Sequence, residues 1–127
     1  MIKHDVSHFP TILVFNTTEK DKTSVALIKN GSVKISEKSR RAQELQSIVE
    51  ELIDNNHIEI GEIKAVAVLE GPGSYTGIRI GATTGNTLHW LYRMPVIVIP
   101  GTDISEAAER LMSGEEFDVT TYFSPRD

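Results

Sequence analysis

The 127 residues suffice for one domain with a real core, and 39% hydrophobic with 24% charged residues is the balance of an ordinary globular chain. A net charge of −5 and an aromatic content of only 6% argue against a protein that holds tRNA or DNA through its own field. Cysteine is absent, which excludes disulfide frameworks, thiolate zinc sites and cysteine nucleophiles; with no apolar signal-like start and no run near the ~20 apolar residues of a membrane span, a soluble cytoplasmic protein is the expectation.

The first ten residues, MIKHDVSHFP, show no period and read as an N-terminal extension. Thr11 to Thr17 (TILVFNT) is a short β-branched run and predicts a buried strand. Thr23 to Gly31 is the next, and Asn30-Gly31 behind it is a strong hairpin signal. Ser32 to Ser39 alternates Val33 and Ile35 with Lys34 and Ser36, a half-exposed returning strand. The opening is therefore a three-stranded antiparallel meander. Lys34, Lys38, Arg40 and Arg41 form a basic cluster that reads as a solvated strand end leading into a helix.

From Ala42 to Asn56 the period changes. Leu45, Ile48, Val49, Leu52 and Ile53 fall on one helical face, with Glu44, Glu50, Glu51 and Asp54 on the wet sides. Ile63 to Gly71 is a continuous apolar run, as in a parallel strand covered on both faces. Pro95 to Gly101 is another buried strand. Asp103 to Met112 predicts a helix with Thr102 or Asp103 as its N-cap. Residues 113–127 have no clear period; Val119 to Phe123 reads either as one more strand or as a frayed end. The order β-β-β-α-β-α-β-α means an α/β layer on a mixed sheet, a single lobe spanning residues 11–112.

Between the two buried strands lies LEGPGSYTGIRIGATTGNTLHWL, five glycines in 23 residues mixed with Ile, Leu and Trp. Gly71, Pro72, Gly73, Ser74, Tyr75 and Thr76 follow a strand and open a helix, a context that suits a phosphate loop. The spacing matches no catalytic fingerprint: the third glycine arrives one residue late for a dinucleotide turn, Ile78 stands where a Walker loop needs lysine, and Ser74 directly follows Gly73 where a nucleophile elbow needs a spacer. From Gly77 the pattern is helical, and Gly77, Gly81 and Gly85 line one side of that helix. Two interior glycines cost about 2 kcal/mol relative to alanine, so close approach by another backbone is expected. That backbone belongs either to the domain's own sheet or to a helix of another protein.

GPGSYTGIRIG, Gly71 to Gly81, resembles the GPGSFTGxRIG signature of the bacterial TsaB proteins, also called YeaZ. TILVFNTTEKDKTSVALIKNG resembles that family's first hairpin and MPVIVIPGTDISEAAERL its later strand–loop–helix segment, so the resemblance runs from about Thr11 to Met112. It implies the actin-like, ribonuclease-H-like fold of the sugar-kinase and heat-shock ATPase superfamily. It also implies a non-catalytic role: support of TsaD, the subunit that transfers a threonylcarbamoyl group to the adenosine next to the anticodon of tRNA, with the ATPase TsaE completing the assembly. TsaB-type lobes pair with TsaD, or with themselves, through helices. The resemblance thus moves the glycine row toward the external reading, with Gly77, Gly81, Gly85, Leu88, His89 and Tyr92 as the partner-facing set and neither cofactor nor direct tRNA contact expected.

The sequence departs from the family in four places. The Asp that usually follows the first strand, and that in ATP-using relatives helps hold the nucleotide's metal, is Asn16. Ser39-Arg40-Arg41-Ala42 lacks the family's His before the first helix. The first ten residues exceed the usual start. Family members have two lobes, and this sequence accounts for about one, as a fragment or as a natural one-lobe form. The rival expectation is an enzyme of the same superfamily, a nucleotide-dependent transferase or a glycopeptidase-like hydrolase; a third is a divergent homodimeric interaction protein. Elsewhere, His4 and His8 lack an obvious third metal ligand, His57 sits in a polar loop, His89 lies beside Trp90, and Arg79 is expected to pair with a carboxylate such as Glu70.

Overall fold

The computed structural model describes residues 2–126. Ten elements follow in order: β1 (Lys3–Asp5), β2 (Thr11–Asn16), β3 (Thr23–Lys29), β4 (Ser32–Lys38), α1 (Leu45–Asn55), β5 (Ala65–Leu69), α2 (Tyr75–Tyr92), β6 (Val96–Ile99), α3 (Ile104–Met112) and β7 (Glu116–Thr120). The strands form one mixed sheet in the order β1-β7-β6-β5-β2-β3-β4. The meander β2-β3-β4 is antiparallel, β2, β5 and β6 run parallel, and β7 returns antiparallel to β6.

Period-2 alternation splits the buried side chains between two layers. On one face Leu13, Phe15, Val66, Val68 and Val96 meet Leu45, Ile48, Val49, Leu52 and Ile53 of α1. On the other, Ile12, Val14, Ala65, Ala67, Leu69, Ile97 and Ile99 meet Ile104, Ala107, Ala108 and Leu111 of α3. The β3–β4 turn forms where expected, with Asn30 and Gly31 both at positive φ, 50° and 82°. Asp103 caps α3 by accepting from the N–H groups of Ser105 and Glu106.

The order read from the sequence holds from Thr11 to Met112, and the sheet gains a strand at each side of that segment. Part of the N-terminal extension and part of the segment after Met112 join the sheet: Lys3, His4 and Asp5 pair with Asp118, Phe117 and Glu116. Val6 and Phe117 are buried in the α3-side core. The last strand is Glu116–Thr120 rather than Val119–Phe123. Arg110 of α3 fastens this edge: it donates to Glu115 through two nitrogens and to the Pro100 carbonyl, and its guanidinium lies 5.3 Å over the Phe117 ring. Among the described residues no helix is long and apolar enough to cross a membrane.

Candidate functional site: a helix groove and a sealed crevice

The glycine-rich stretch begins with a turn that packs flush on the end of β2. Gly71 sits at φ 94°, a conformation that only glycine adopts freely, and its carbonyl accepts from Gly101 N–H at 2.9 Å. A Cβ on Gly73 would collide with the Thr18 carbonyl oxygen. Ser74 is the N-cap of α2, its hydroxyl accepting from Gly77 N–H at 3.2 Å, so the helix starts at Tyr75, two residues before Gly77.

The glycine row does not face outward. Gly77, Gly81 and Gly85 are all buried against the chain's own sheet. A Cβ on Gly77 would strike the Thr17 carbonyl oxygen, one on Gly81 would lie 2.6 Å from Thr17 Oγ1, and one on Gly85 would lie 3.1 Å from Val68 Cγ2. The close backbone partner is therefore internal, which corrects the assignment of these three glycines to a partner interface. The reason is the geometry of the crossover: α2 links parallel neighbours β5 and β6 and must lie along them, and the bare side lets it approach the β2 end closely.

The flank of α2 next to the glycine row is the one that turns toward α1. Together with α1 it walls a groove of about 460 Å³ lined by Val49, Ile53 and Ile60 on one side and Leu88, Leu91 and Tyr92 on the other. Leu91 is 55% and Tyr92 44% exposed, so the groove is apolar and open to solvent. The hydroxyls of Thr84 and Thr87 also border it, and each donates back to its own helix, to the Ile80 and Thr83 carbonyls at 2.8 Å. That removes two polar groups from the lining. Gln46 and Glu50 supply a polar rim.

Of the six expected partner-facing residues, Leu88 and Tyr92 line this groove. His89 does not: its Nδ1 bonds the Met94 carbonyl at 2.8 Å and closes the turn after α2, where Arg93 takes a left-handed φ of 63°. Val49, Ile53, Ile60 and Leu91, which also line the groove, were not among those six. Leu91 was legible in principle, three residues beyond Leu88 on the same stripe of the helix. Arg79 forms no ion pair with Glu70; it is exposed, with its guanidinium 5.8 Å over the Tyr75 ring. Trp90, at 70% exposure, is not among the groove residues.

A second concavity, about 560 Å³, opens at the C-terminal ends of the parallel strands, where open α/β sheets bind ligands. Asn16, Thr18, Glu19, Lys22, Glu37, Gly73, Thr102 and Asp103 border it. The fold class implies a nucleotide and its metal here, and the residues present do not fit them. Asn16 is 4% exposed and its side chain is engaged at both ends: its amide nitrogen donates to the Thr102 carbonyl at 2.9 Å, while its oxygen accepts from Thr18 N–H at 3.1 Å and Thr18 O–H at 2.7 Å. Ser74 N–H, at the mouth of α2, is taken by the Thr18 carbonyl at 2.7 Å, and the first free N–H groups of α3 are taken by the Asp103 carboxylate. The charges are Glu19, Glu37 and Asp103 against Lys22, which contacts Glu19 at 3.1 Å and Glu37 at 3.6 Å. The hydrogen bond that the Lys22 ammonium donates to Glu19, reinforced by the charges of Glu19 and Glu37, holds its pKa above the ordinary value. This lining repels phosphate. Among the described residues no group of three or more His, Cys, Asp or Glu could hold a metal; His4 stands exposed in β1 and the His8 ring packs on Phe9 at 4.3 Å.

A hairpin-led mixed sheet with parallel strands at its centre and helices on both faces is the architecture of an actin-like, ribonuclease-H-like lobe. The family model described as TsaD, tRNA N6-adenosine threonylcarbamoyltransferase, matches residues 27–126. The TsaB protein of Haemophilus influenzae, a tRNA threonylcarbamoyladenosine biosynthesis protein, is 31% identical over 109 residues, covering 83% of this chain and 46% of that protein. TsaB of Bacillus subtilis is 28% identical over 109 residues, covering 82% and 47%. The solved structure of YeaZ from Pseudomonas aeruginosa aligns with a TM-score of 0.66 at 28% identity, over 71% of this chain and 44% of that one. The chain belongs to this family, on its TsaB (YeaZ) branch. It spans about half the length of the curated relatives it matches.

Proposed function

We propose that this chain is a non-catalytic scaffold in the formation of threonylcarbamoyladenosine next to the anticodon of tRNA, acting by binding a TsaD-like subunit. The observation that carries the reading is the α1–α2 groove. It is apolar, solvent-facing and polar-rimmed, features that helix-in-groove interfaces use. The names of the relatives supply the pathway. In the isolated chain the same groove serves a second copy; in the assembly a TsaE-like ATPase joins from elsewhere. The protein works in the cytoplasm and does not itself contact the tRNA.

The test is sedimentation of the chain with its cognate TsaD-like subunit, alongside an assay of tRNA threonylcarbamoylation. Wild type should co-sediment and be required for modification. Leu91→Asp and Tyr92→Ala should abolish both while leaving the melting temperature unchanged. Undiminished association of both variants would refute the groove as the interface.

The description of the matching family model as a transferase favours one rival, catalysis by the lobe itself. The same assay decides it: modification by this chain without a TsaD-like subunit would replace the scaffold reading.

A further inference from the structure

We propose that the crevice at the ends of β2, β5 and β6 is a self-sealed joint, in which the Asn16 carboxamide is the cross-link that holds the lobe where a nucleotide-binding relative would rely on ligand. The reading is independent of the scaffold role. It starts from the donor and acceptor inventory of an amide: one oxygen that accepts and one NH2 that donates. Thr18 presents an N–H that must meet the oxygen, which leaves the NH2 for the Thr102 carbonyl, and both contacts are made at hydrogen-bond distance. Asn16 thereby ties the end of β2 to the loop between β6 and α3, across 86 residues of sequence. A carboxylate could not do this. It would keep the Thr18 bonds but turn a second oxygen toward the Thr102 carbonyl.

The surroundings agree with a joint. Ser74 N–H closes onto the Thr18 carbonyl, so the glycine turn seats on Thr18, the same residue whose N–H and hydroxyl the Asn16 oxygen holds. The Gly71–Gly101 bridge closes the neighbouring strand pair beyond its last ladder rung. With these groups spent on one another, what remains open in the crevice is lined by Glu19, Glu37 and Asp103 with Lys22 between two of them.

Thermal melting of the full chain and two variants at two pH values tests the inference. Asn16→Ala removes both halves of the link and leaves buried partners unmet, so the folded-to-unfolded ratio should fall about tenfold to a hundredfold at pH 7.5 and pH 5 alike. Asn16→Asp should be as damaging at pH 7.5. Protonation restores a donor for the Thr102 carbonyl, so at pH 5 the variant should recover toward wild type. Glu19, Lys22, Glu37 and Asp103 face the same space, so the comparison is the variant's difference from wild type at each pH. Wild type itself should show no saturable shift with magnesium and ATP. Wild-type melting by Asn16→Ala, absence of acid recovery in Asn16→Asp, or a saturable ATP shift in wild type would each overturn the joint. If neither variant folds, the Asn16 side-chain NH2 resonances in wild type decide: slow hydrogen exchange supports the link, and exchange at the free-amide rate refutes it.

Discussion

Gly81 and Thr17 face each other across the contact between α2 and the end of β2, so near that a single methyl on Gly81 would sit 2.6 Å from the threonine hydroxyl oxygen. The three glycines of the row differ in what they would strike, and their alanine variants should differ accordingly. Gly77→Ala meets a backbone carbonyl that cannot yield and should destabilise by about 3 kcal/mol. Gly81→Ala meets a side chain and should cost about 1–2 kcal/mol. Gly85→Ala meets a valine methyl at 3.1 Å, and the gain in helix propensity of about 1 kcal/mol should leave it near wild type. Denaturant unfolding of the isolated chains measures the series; equal stability for all three would remove the sheet contact as the cause.

The same Thr17 hydroxyl is fully buried and, among the described residues, without a hydrogen-bond partner. Thr17→Val keeps the shape and discards the unmet polar group, so it should be neutral or stabilising by up to about 1 kcal/mol. A loss larger than that would mean the hydroxyl has a partner, such as a trapped water.

The Arg110–Glu115 contact should make the β1–β7 edge sensitive to acid. Hydrogen bonding and charge from Arg110 lower the Glu115 pKa from its usual 4.5. A carboxylate whose folded-state pKa is depressed contributes stability above its unfolded pKa and loses it as pH falls through the folded value. Amide exchange in β1 and β7 should therefore accelerate relative to the rest of the sheet below about pH 4.5. Glu115→Gln should show that faster exchange already at neutral pH; identical exchange in variant and wild type would contradict the assignment.

Direct binding of tRNA by the chain alone should be undetectable in a gel shift at physiological salt. Within the basic cluster, Arg40 contacts Glu51 at 3.3 Å and Lys38 contacts it at 4.0 Å, so its charge is partly neutralised in place. Tight, salt-sensitive binding that Arg40→Glu and Arg41→Glu abolish would show the cluster to be a phosphate contact after all.

What the sequence made legible was local. The β3–β4 hairpin rests on Asn30-Gly31, the α1 face on five apolar residues at helical spacing, and the α3 cap on Asp103, each readable within a window of a dozen residues. What it hid was long-range. Lys3-His4-Asp5 has neither alternation nor apolar content, and it becomes a strand because Glu116–Asp118 lies beside it. The glycine row announced a close neighbour without naming it, because the neighbour, Thr17, precedes Gly81 by 64 positions and is itself unremarkable in composition. Asn16 read as the loss of a metal ligand, whereas its gain, a bond to the Thr102 carbonyl, depends on a loop near the other end of the chain.

The pairing of β1 with β7 also sets an order of events during synthesis. Of the seven strands of this sheet β1 is synthesised before the others and its partner β7 after them, so residues 3–5 must wait for 116–118 before they join it. The meander β2-β3-β4, joined by short connections, can pair long before that. The lobe is therefore expected to assemble from the hairpin side outward, with the β6 edge bare until the final turn of α3 has passed and Arg110 can draw β7 into place.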